Sequence, residues 1–182
     1  MIPPSEGINV EFKRELSRKQ RRDVCKEVAA FASTEGGSVF IGIDDDGCVY
    51  GIIDEKPELQ RDTISRFINT YISPIPIFNI NIITFRGVDI IEIVVENGPH
   101  PIYYYDGKPY IRVGTISVPA SPDQVIEKIS GWCITKLIPE MSYSISQVKG
   151  GNVVSAAVYG QSELATMGYG KLIEKIKEDL GL

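Results

Sequence analysis

The sequence is poor in the residues that build disulfide frameworks and zinc sites. Its 182 residues include three cysteines, without a Cys-x-x-Cys pair, and a single histidine. A disulfide framework needs an even set of cysteines and structural zinc needs four Cys or His ligands, so we expect neither. His100 lies in "GPHP" with no nucleophile near it in sequence, and we interpret it as a turn residue.

Motifs for ATP, membranes and export are also missing. No G-x-x-x-x-G-K-[ST] loop occurs, so we expect no ATP binding. The most apolar stretch, residues 77–95, is broken by polar residues that include Asn79, Arg86 and Asp89, so we expect no membrane span. The first residues, "MIPPSEG", lack the basic and then apolar order of a signal peptide, and we expect a cytoplasmic protein.

What the sequence does contain is typical of a folded domain. Hydrophobic residues make up 43% of the chain and charged residues 24%, which suffices for one buried core. We predict one domain over residues 1–140, followed by a C-terminal strand–helix extension over residues 141–182 that packs on it. Residues 142–151, which include "SQVKGG", resemble a linker.

Positive charge is concentrated near the start of the chain. The net charge is −5, but residues 11–26 carry seven Lys or Arg against three acidic residues, which gives that segment +4 and leaves −9 for the rest. A basic strip on an acidic body suits a phosphate-bearing ligand held at one place. From charge alone, a solvated helix face that serves solubility is the favoured alternative.

This basic strip coincides with a predicted strand and helix. Residues 9–13 alternate, with Phe12 facing one side and Glu11 and Lys13 the other. A helix is predicted to follow, with Ser17 as its N-cap, an apolar face at helical spacing and a stop at residues 36–37. Basic residues lie on the arc opposite the apolar one: Arg18, Lys19, Arg22 and Lys26.

The rest of the pattern predicts an α/β (α+β) fold with a mixed sheet. Residues 38–44 are apolar on both faces, like a central strand, and "DDDG" predicts a hairpin turn after it. The first strand, helix and strand imply a crossover between parallel neighbours, and later hairpins add antiparallel strands, so helices should pack on a mixed sheet with a βαβ start. Further strands are predicted at 79–85, 89–95, 102–105, 109–113 and in "NVVSAAVYG", with helices at 57–72, 121–132 and 171–180.

Three blocks of sequence carry a resemblance to a known family. They are "SEGINVEFKREL", "EVAAFASTEGGSVFIGIDDDGCVYGI" and "PIYYYDGKPYIRVGTIS", and they cover most of residues 5–120. In this order they resemble the Schlafen AlbA-like domain, also described as a divergent AAA or DNA-binding domain. The resemblance implies a nucleic-acid-binding protein, with tRNA or another structured RNA, or DNA, as its partner.

The resemblance also implies a metal-dependent endoribonuclease. Animal members of the family cut tRNA and rRNA with three carboxylates, and the matching positions in this chain are Glu6, Glu11 and Asp44 or its neighbour Asp45, with Lys13 as the lysine of the motif. Such carboxylates would hold Mg²⁺ or Mn²⁺. Each also has a plainer interpretation: Glu6 as a loop residue, Asp45 as a turn residue, and Glu11 as half of a salt bridge. A non-catalytic nucleic-acid-binding module is therefore the alternative function.

Several residues are expected to contact the nucleic acid. The basic residues of the strip would hold phosphates, namely Arg14, Arg18, Lys19, Arg22 and Lys26. In the tyrosine-rich hairpin, Tyr103 and Tyr105 alternate onto one face that would stack on bases, although packing at the rim of the core is the commoner role of such tyrosines. Arg112 matches a family arginine and would contact the ligand or a neighbouring acid. Because animal members join two lobes and this chain has one, we also predict a homodimer.

Overall fold

The structure is a computed structural model that describes residues 2–3, 5–53, 56–137, 143–149 and 152–159. The chain divides into two compact units, Met1–Val125 and Ile126–Leu182. In chain order the elements are β1 Val10–Lys13, α1 Arg18–Ala32, β2 Gly37–Ile41, α2 Pro57–Tyr71, β3 Ile72–Ser73, β4 Phe78–Phe85, β5 Val88–Val95, β6 Tyr103–Tyr105, β7 Lys108–Val113, β8 Ile116–Pro119, α3 Pro122–Leu137, β9 Tyr143–Lys149 and β10 Asn152–Tyr159.

The first sheet has the predicted βαβ start. Its strand order is β1-β2-β5-β4, with β1 parallel to β2 across the α1 connection and the other pairs antiparallel. Residues Val10 and Lys13 pair with Ser38 and Ile41, which fixes the register of the parallel pair. The α+β class and the mixed sheet are therefore confirmed.

A second, fully antiparallel sheet runs in the order β3-β6-β7-β8. The predicted hairpin of β6 and β7 forms its centre, whereas β3 and β8 were not predicted. These two strands have two and four residues, too short to show an alternating pattern. They form because the hairpin offers unpaired N–H and C=O groups along its two outer edges.

Helix α1 packs against both sheets and organises the main core. Its buried residues include Val24, Val28 and Phe31, which join Ile41 of β2 and Tyr103 of β6 in one cluster. A smaller cluster covers the other face of the first sheet and contains Phe12, Phe40, Ile43 and Ile90. The predicted alternation of β1 is confirmed, because Phe12 is buried in that second cluster while Glu11 and Lys13 face the α1 side.

Helix α1 begins at its predicted cap but ends four residues early. The Ser17 hydroxyl accepts a hydrogen bond from the Gln20 backbone N–H, as predicted. At the other end, the Ser33 and Thr34 hydroxyls donate to the carbonyls of Ala29 and Ala30, and α1 stops at Ala32. Serine and threonine compete with the helical hydrogen bonds in this way. Gly36 nevertheless closes the helix end as predicted: its φ is +80°, and its N–H donates to the Phe31 carbonyl at 2.9 Å.

Helix α2 buries only part of its apolar residues. Ile64 and Ile68 are buried, whereas Leu59 and Tyr71 are exposed, and the polar Gln60 is buried. In the second unit, β9 pairs with β10 where a linker was predicted over residues 142–151. The predicted domain boundary at 140–141 and the predicted helix over 171–180 lie outside the described residues.

No helix in the described part of the chain is long and apolar enough to cross a membrane.

Candidate nucleic-acid interface

Glu11 is held in β1 by two basic side chains. Its Oε1 forms an ion pair with Lys13 Nζ, and its Oε2 lies 3.0 Å from Nη2 of Arg112. The Glu11 side chain is only 12% exposed, and that of Arg112 is 3% exposed. A carboxylate this far from water needs such partners, so the salt-bridge interpretation of Glu11 describes its observed contacts.

Arg112 joins β7 to the loop that precedes β1. Its guanidinium donates hydrogen bonds to the carbonyls of Gly7 and Ile8, both at 3.0 Å, and also pairs with Glu27 of α1. The same group lies 4.8 Å from the centre of the Phe31 ring. Arg112 was expected to contact the ligand or a neighbouring acid. In the structure it forms ion pairs with two acids, Glu11 and Glu27. Its side chain is too buried to contact a phosphate.

Glu27 is the functional-looking carboxylate that the sequence analysis missed. Its carboxylate accepts hydrogen bonds from Arg112 and from the Ser117 hydroxyl of β8. Burial and the nearby charge of Glu11 raise the pKa of Glu27, although Ser117, Arg112 and Lys13 oppose the shift. One signal was available: at 100° per residue, Glu27 lies beside the apolar arc of α1, not on the basic one.

The other predicted carboxylates satisfy backbone groups near them in sequence. Glu6 Oε1 accepts a hydrogen bond from the Phe12 N–H at 2.8 Å, which anchors the turn before β1. Asp44 Oδ1 accepts one from the Cys48 N–H at 3.0 Å, which closes the turn after β2. Asp45 is exposed on the same turn. Glu6 and Asp45 thus lie where the loop and turn roles weighed against metal binding put them, and Asp44 also acts as a turn residue.

The three predicted carboxylates do not form one metal cage. Among the described residues, no group of three or more His, Cys, Asp or Glu side chains is placed to hold a metal ion. Glu11 is already neutralised by Lys13 and Arg112, and Glu6 is bound to a backbone amide. The donor set as placed therefore does not fit a three-carboxylate site for Mg²⁺ or Mn²⁺.

Part of the predicted catalytic set nevertheless lines a common cleft. This turn cleft, of about 580 Å³, lies between the start of α1 and the turn after β2. Lys13, Arg14 and Lys19 contribute positive charge to it. Five carboxylates outweigh them and give the cleft a net charge of −2: Glu15, Asp23, Asp44, Asp45 and Asp46. The cleft therefore brings together five of the predicted site residues, whereas Glu6 and Glu11 do not line it.

The remaining basic residues of α1 line a second depression, the α1 groove, of about 370 Å³. Arg18, Arg22 and Lys26 are spaced four residues apart and therefore follow one line along the helix. The opposite walls come from α2 and the β6–β7 hairpin, through Phe67, Tyr71, Tyr105, Asp106, Lys108 and Tyr110. Four cations and one carboxylate line the groove, which gives it a net charge of +3.

The tyrosines divide between the core and this groove. Tyr103 is fully buried, so its predicted contact with bases was wrong; its side chain packs in the main core, as inward-facing strand residues do. Tyr105 is largely buried but lines the groove beside Tyr110, with ring centres 6.3 Å apart. Tyr71, the most exposed of the groove tyrosines, packs against Phe67 with ring centres 5.2 Å apart.

Comparisons with known proteins agree with the resemblance seen in the sequence. In structure the chain is similar to the DIP2311 protein from Corynebacterium diphtheriae, with a TM-score of 0.50 and 21% identity over 64% of this chain and 26% of that chain. It is also similar to the N-terminal domain of an ATP-dependent DNA helicase RecG-related protein from Nitrosomonas europaea, with a TM-score of 0.41 and 19% identity over 50% of this chain and 64% of that chain. The chain thus spans about a quarter of the first protein and under two thirds of the second. The Schlafen, AlbA_2 family model matches residues 6–121, which is more than half of the sequence, and the chain therefore belongs to the Schlafen AlbA_2 family.

Proposed function

We propose that this chain is a nucleic-acid-binding protein whose α1 groove holds the sugar-phosphate backbone. The observation that carries the proposal is the row of Arg18, Arg22 and Lys26 facing an aromatic wall across one groove. The net charge of the groove is positive although the chain as a whole carries −5. Local positive charge on an acidic protein favours a polyanion at that one place.

The composition of the groove suits a strand with exposed bases. Proteins recognise single strands through two features: cations that follow the sugar-phosphate backbone, and aromatic rings on which the bases stack. Tyr71 and Phe67 supply rings at the rim, opposite the basic row of α1. Sequence-specific RNA recognition targets loops and ends whose bases are unstacked. We therefore propose a structured RNA such as tRNA as the partner, with single-stranded DNA as its closest competitor.

Fluorescence anisotropy tests this proposal directly. Labelled tRNA, single-stranded RNA, single-stranded DNA and duplex DNA are titrated with the full chain and with a variant that carries Arg18→Ala, Arg22→Ala and Lys26→Ala. We expect wild-type binding to weaken as salt rises, because phosphate contacts release counterions. The triple variant should bind every polymer more weakly.

A matched control removes charge elsewhere. Arg61→Ala, Arg66→Ala and Arg86→Ala take away the same charge at sites that do not line the groove. If these controls weaken binding as much as the groove variant, only net charge matters and the groove has no special role. If the wild-type chain binds none of the four polymers, the proposed function is overturned.

A second candidate is a metal-dependent endoribonuclease, as in animal members of the family. One observation favours it: Lys13, Asp44 and Asp45 line the turn cleft next to the basic start of α1. Against it stand the ion pairs of Glu11, which occupy both of its oxygens. If Mg²⁺ or Mn²⁺ binds, Asp44 and Asp45 of the turn cleft would hold it, and the ion would supply Lewis-acid chemistry.

Cleavage of tRNA separates the two candidates. The full chain is incubated with tRNA and Mn²⁺ or Mg²⁺, with and without chelator, beside Asp44→Asn and Glu11→Gln. Metal-dependent cutting that both substitutions abolish supports the nuclease. Binding without cutting supports the non-catalytic module. Arg66→Ala, outside both depressions, serves as the control for nuclease contamination.

The homodimer that would rebuild a two-lobed cradle is also a proposal. Closed two-fold dimers are the commonest protein assemblies. Light scattering coupled to size-exclusion chromatography measures the mass directly: 20.1 kDa is the mass of one chain. A mass of one chain without RNA, and of one chain plus the bound RNA in its presence, excludes the dimer.

A further inference from the structure

A third depression, which we call the base pocket, adjoins the turn cleft. It has a volume of about 140 Å³, and Arg14, Tyr50, Ile52, Ile53 and Gln60 line it. Drug-sized ligands occupy pockets of about 300–1,000 Å³. The base pocket is therefore suited to a single ring system and not to a whole nucleotide. Arg14 and Glu15 line both it and the turn cleft, so the two depressions share a border.

Gln60 provides the buried polar group of this pocket. The residue is 8% exposed, and its Oε1 is buried without a hydrogen-bond partner among the described residues. Unpaired buried acceptors are rare, because each has lost its hydrogen bonds to water without gaining others, and this destabilises the fold. If the Gln60 amide turns toward the pocket, an N–H donor on a ligand there would satisfy this oxygen.

The walls of the pocket suit a flat ring. The Arg14 guanidinium lies over the Tyr50 ring, 4.1 Å from its centre, and Ile52 and Ile53 add apolar surface. Guanidinium planes and aromatic rings are the surfaces on which proteins stack unpaired bases. An apolar slot with one hydrogen-bonding group at its edge matches the two faces and the polar edge of a base.

The backbone of this wall is fixed before any ligand arrives. The N–H of Tyr50 donates to the Gly42 carbonyl at 2.8 Å, and the N–H of Ile52 donates to the Asp89 carbonyl at 2.7 Å. Gly51 between them has a φ of +78°, and a Cβ there would lie 2.7 Å from Cβ of Val88. A wall that is ordered in advance loses little freedom on binding.

We propose that the base pocket binds one unpaired nucleobase of the RNA strand, with Gln60 accepting a hydrogen bond from the edge of the base. This inference rests on the proposed nucleic-acid-binding function and names the part of the ligand that the protein holds. The base stacks on the free face of the Arg14 guanidinium, whose other face lies over the Tyr50 ring.

The test compares a strand with all its bases to one with none. Single-stranded RNA and a fully abasic strand of the same length are titrated with the full chain, with Gln60→Leu and with Asn69→Leu. Leu keeps the size of Gln but removes the amide. Asn69→Leu is the matched control, since Asn69 is an exposed amide further along α2 that bonds only the Ser65 carbonyl in the described structure.

We expect Gln60→Leu to weaken binding of the intact strand roughly tenfold, the factor that about 1.4 kcal/mol produces. It should leave the abasic strand unaffected and should not lower the melting temperature, because the substitution removes an unpaired buried acceptor. Asn69→Leu should change neither strand. Equal loss of affinity for the intact and abasic strands would overturn the inference, as would a Gln60→Leu chain that binds the intact strand normally.

Free nucleosides separate this inference from the proposed function. Adenosine, cytidine, guanosine and uridine are added to ¹⁵N-labelled protein, and the side-chain amide of Gln60 is followed by NMR. A shift of that amide that is absent for ribose alone supports the pocket even if no polymer binds. If no nucleoside moves it, the pocket does not hold a base, whatever the affinity of the α1 groove for RNA.

Discussion

Arg112 Nη2 lies 3.0 Å from Glu11 Oε2, and this ion pair joins β7 of the second sheet to β1 of the first. The same guanidinium reaches Glu27 of α1, so one arginine connects both sheets and the helix between them. Glu11 belongs to the motif that suggested a metal site. In the structure its first role is to hold the two sheets in place, and any nuclease chemistry would have to break that pairing.

Removal of Arg112 should destabilise the fold strongly. Arg112→Met leaves the Glu11 and Glu27 carboxylates buried without their shared partner, and such a loss costs about 3–5 kcal/mol. The free energy of unfolding in urea measures the change. Arg66→Met on the exposed face of α2 is the control and should cost little. A loss for Arg112→Met as small as that of the control would show that the pair is not a structural contact.

The raised pKa of Glu27 predicts a specific pH dependence. Because the folded chain keeps the Glu27 proton to a higher pH than the unfolded chain does, the stabilising contribution of this group is present below about pH 4.3, the usual glutamate pKa. It is lost as the pH rises through the folded pKa. The difference in unfolding free energy between wild type and Glu27→Gln should therefore fall as the pH increases over this window. A difference that rises would mean that Arg112 outweighs burial and lowers the pKa instead.

A single groove substitution should change the salt dependence of RNA binding. Arg22→Ala removes one cation from the α1 groove. The slope of log affinity against log salt should become less steep by about 0.7 for single-stranded RNA, because one phosphate contact is lost. Arg66→Ala removes the same charge outside the groove and should leave the slope unchanged. Equal slopes for Arg22→Ala and wild type would exclude Arg22 as a phosphate contact.

The cysteines should differ in reactivity. Cys25 is buried in α1, and burial raises its pKa to about 12, so it carries almost no thiolate at neutral pH. Cys48 is exposed on the turn after β2. Iodoacetamide followed by mass spectrometry of the native chain should find Cys48 alkylated and Cys25 protected. In urea both should react, and early labelling of Cys25 in the native chain would contradict its placement in the core.

The candidate site was only partly accessible from the sequence. Periodicity located the basic face of α1, because Arg18, Arg22 and Lys26 recur on one arc of a helix whatever packs against it. It did not show that the adjacent Lys19 belongs to another cleft, since that depends on where the turn after β2 lies. Nor did periodicity show that the exposed Tyr71 lines the groove, since that depends on how α2 packs beside α1.

By itself, the sequence determined the local elements and the family. Alternation, capping and hairpin turns are encoded within a few residues, so β1, α1 and the β6–β7 hairpin could be predicted from short stretches. Only the tertiary structure decided what the charged residues do. Glu11, Glu27 and Arg112 are far apart in the chain, and their pairing depends on two sheets packing against one helix. The protonation state and the hydrogen-bond partners of an ionisable side chain depend on the neighbours that folding brings to it. No local sequence pattern could therefore assign those roles.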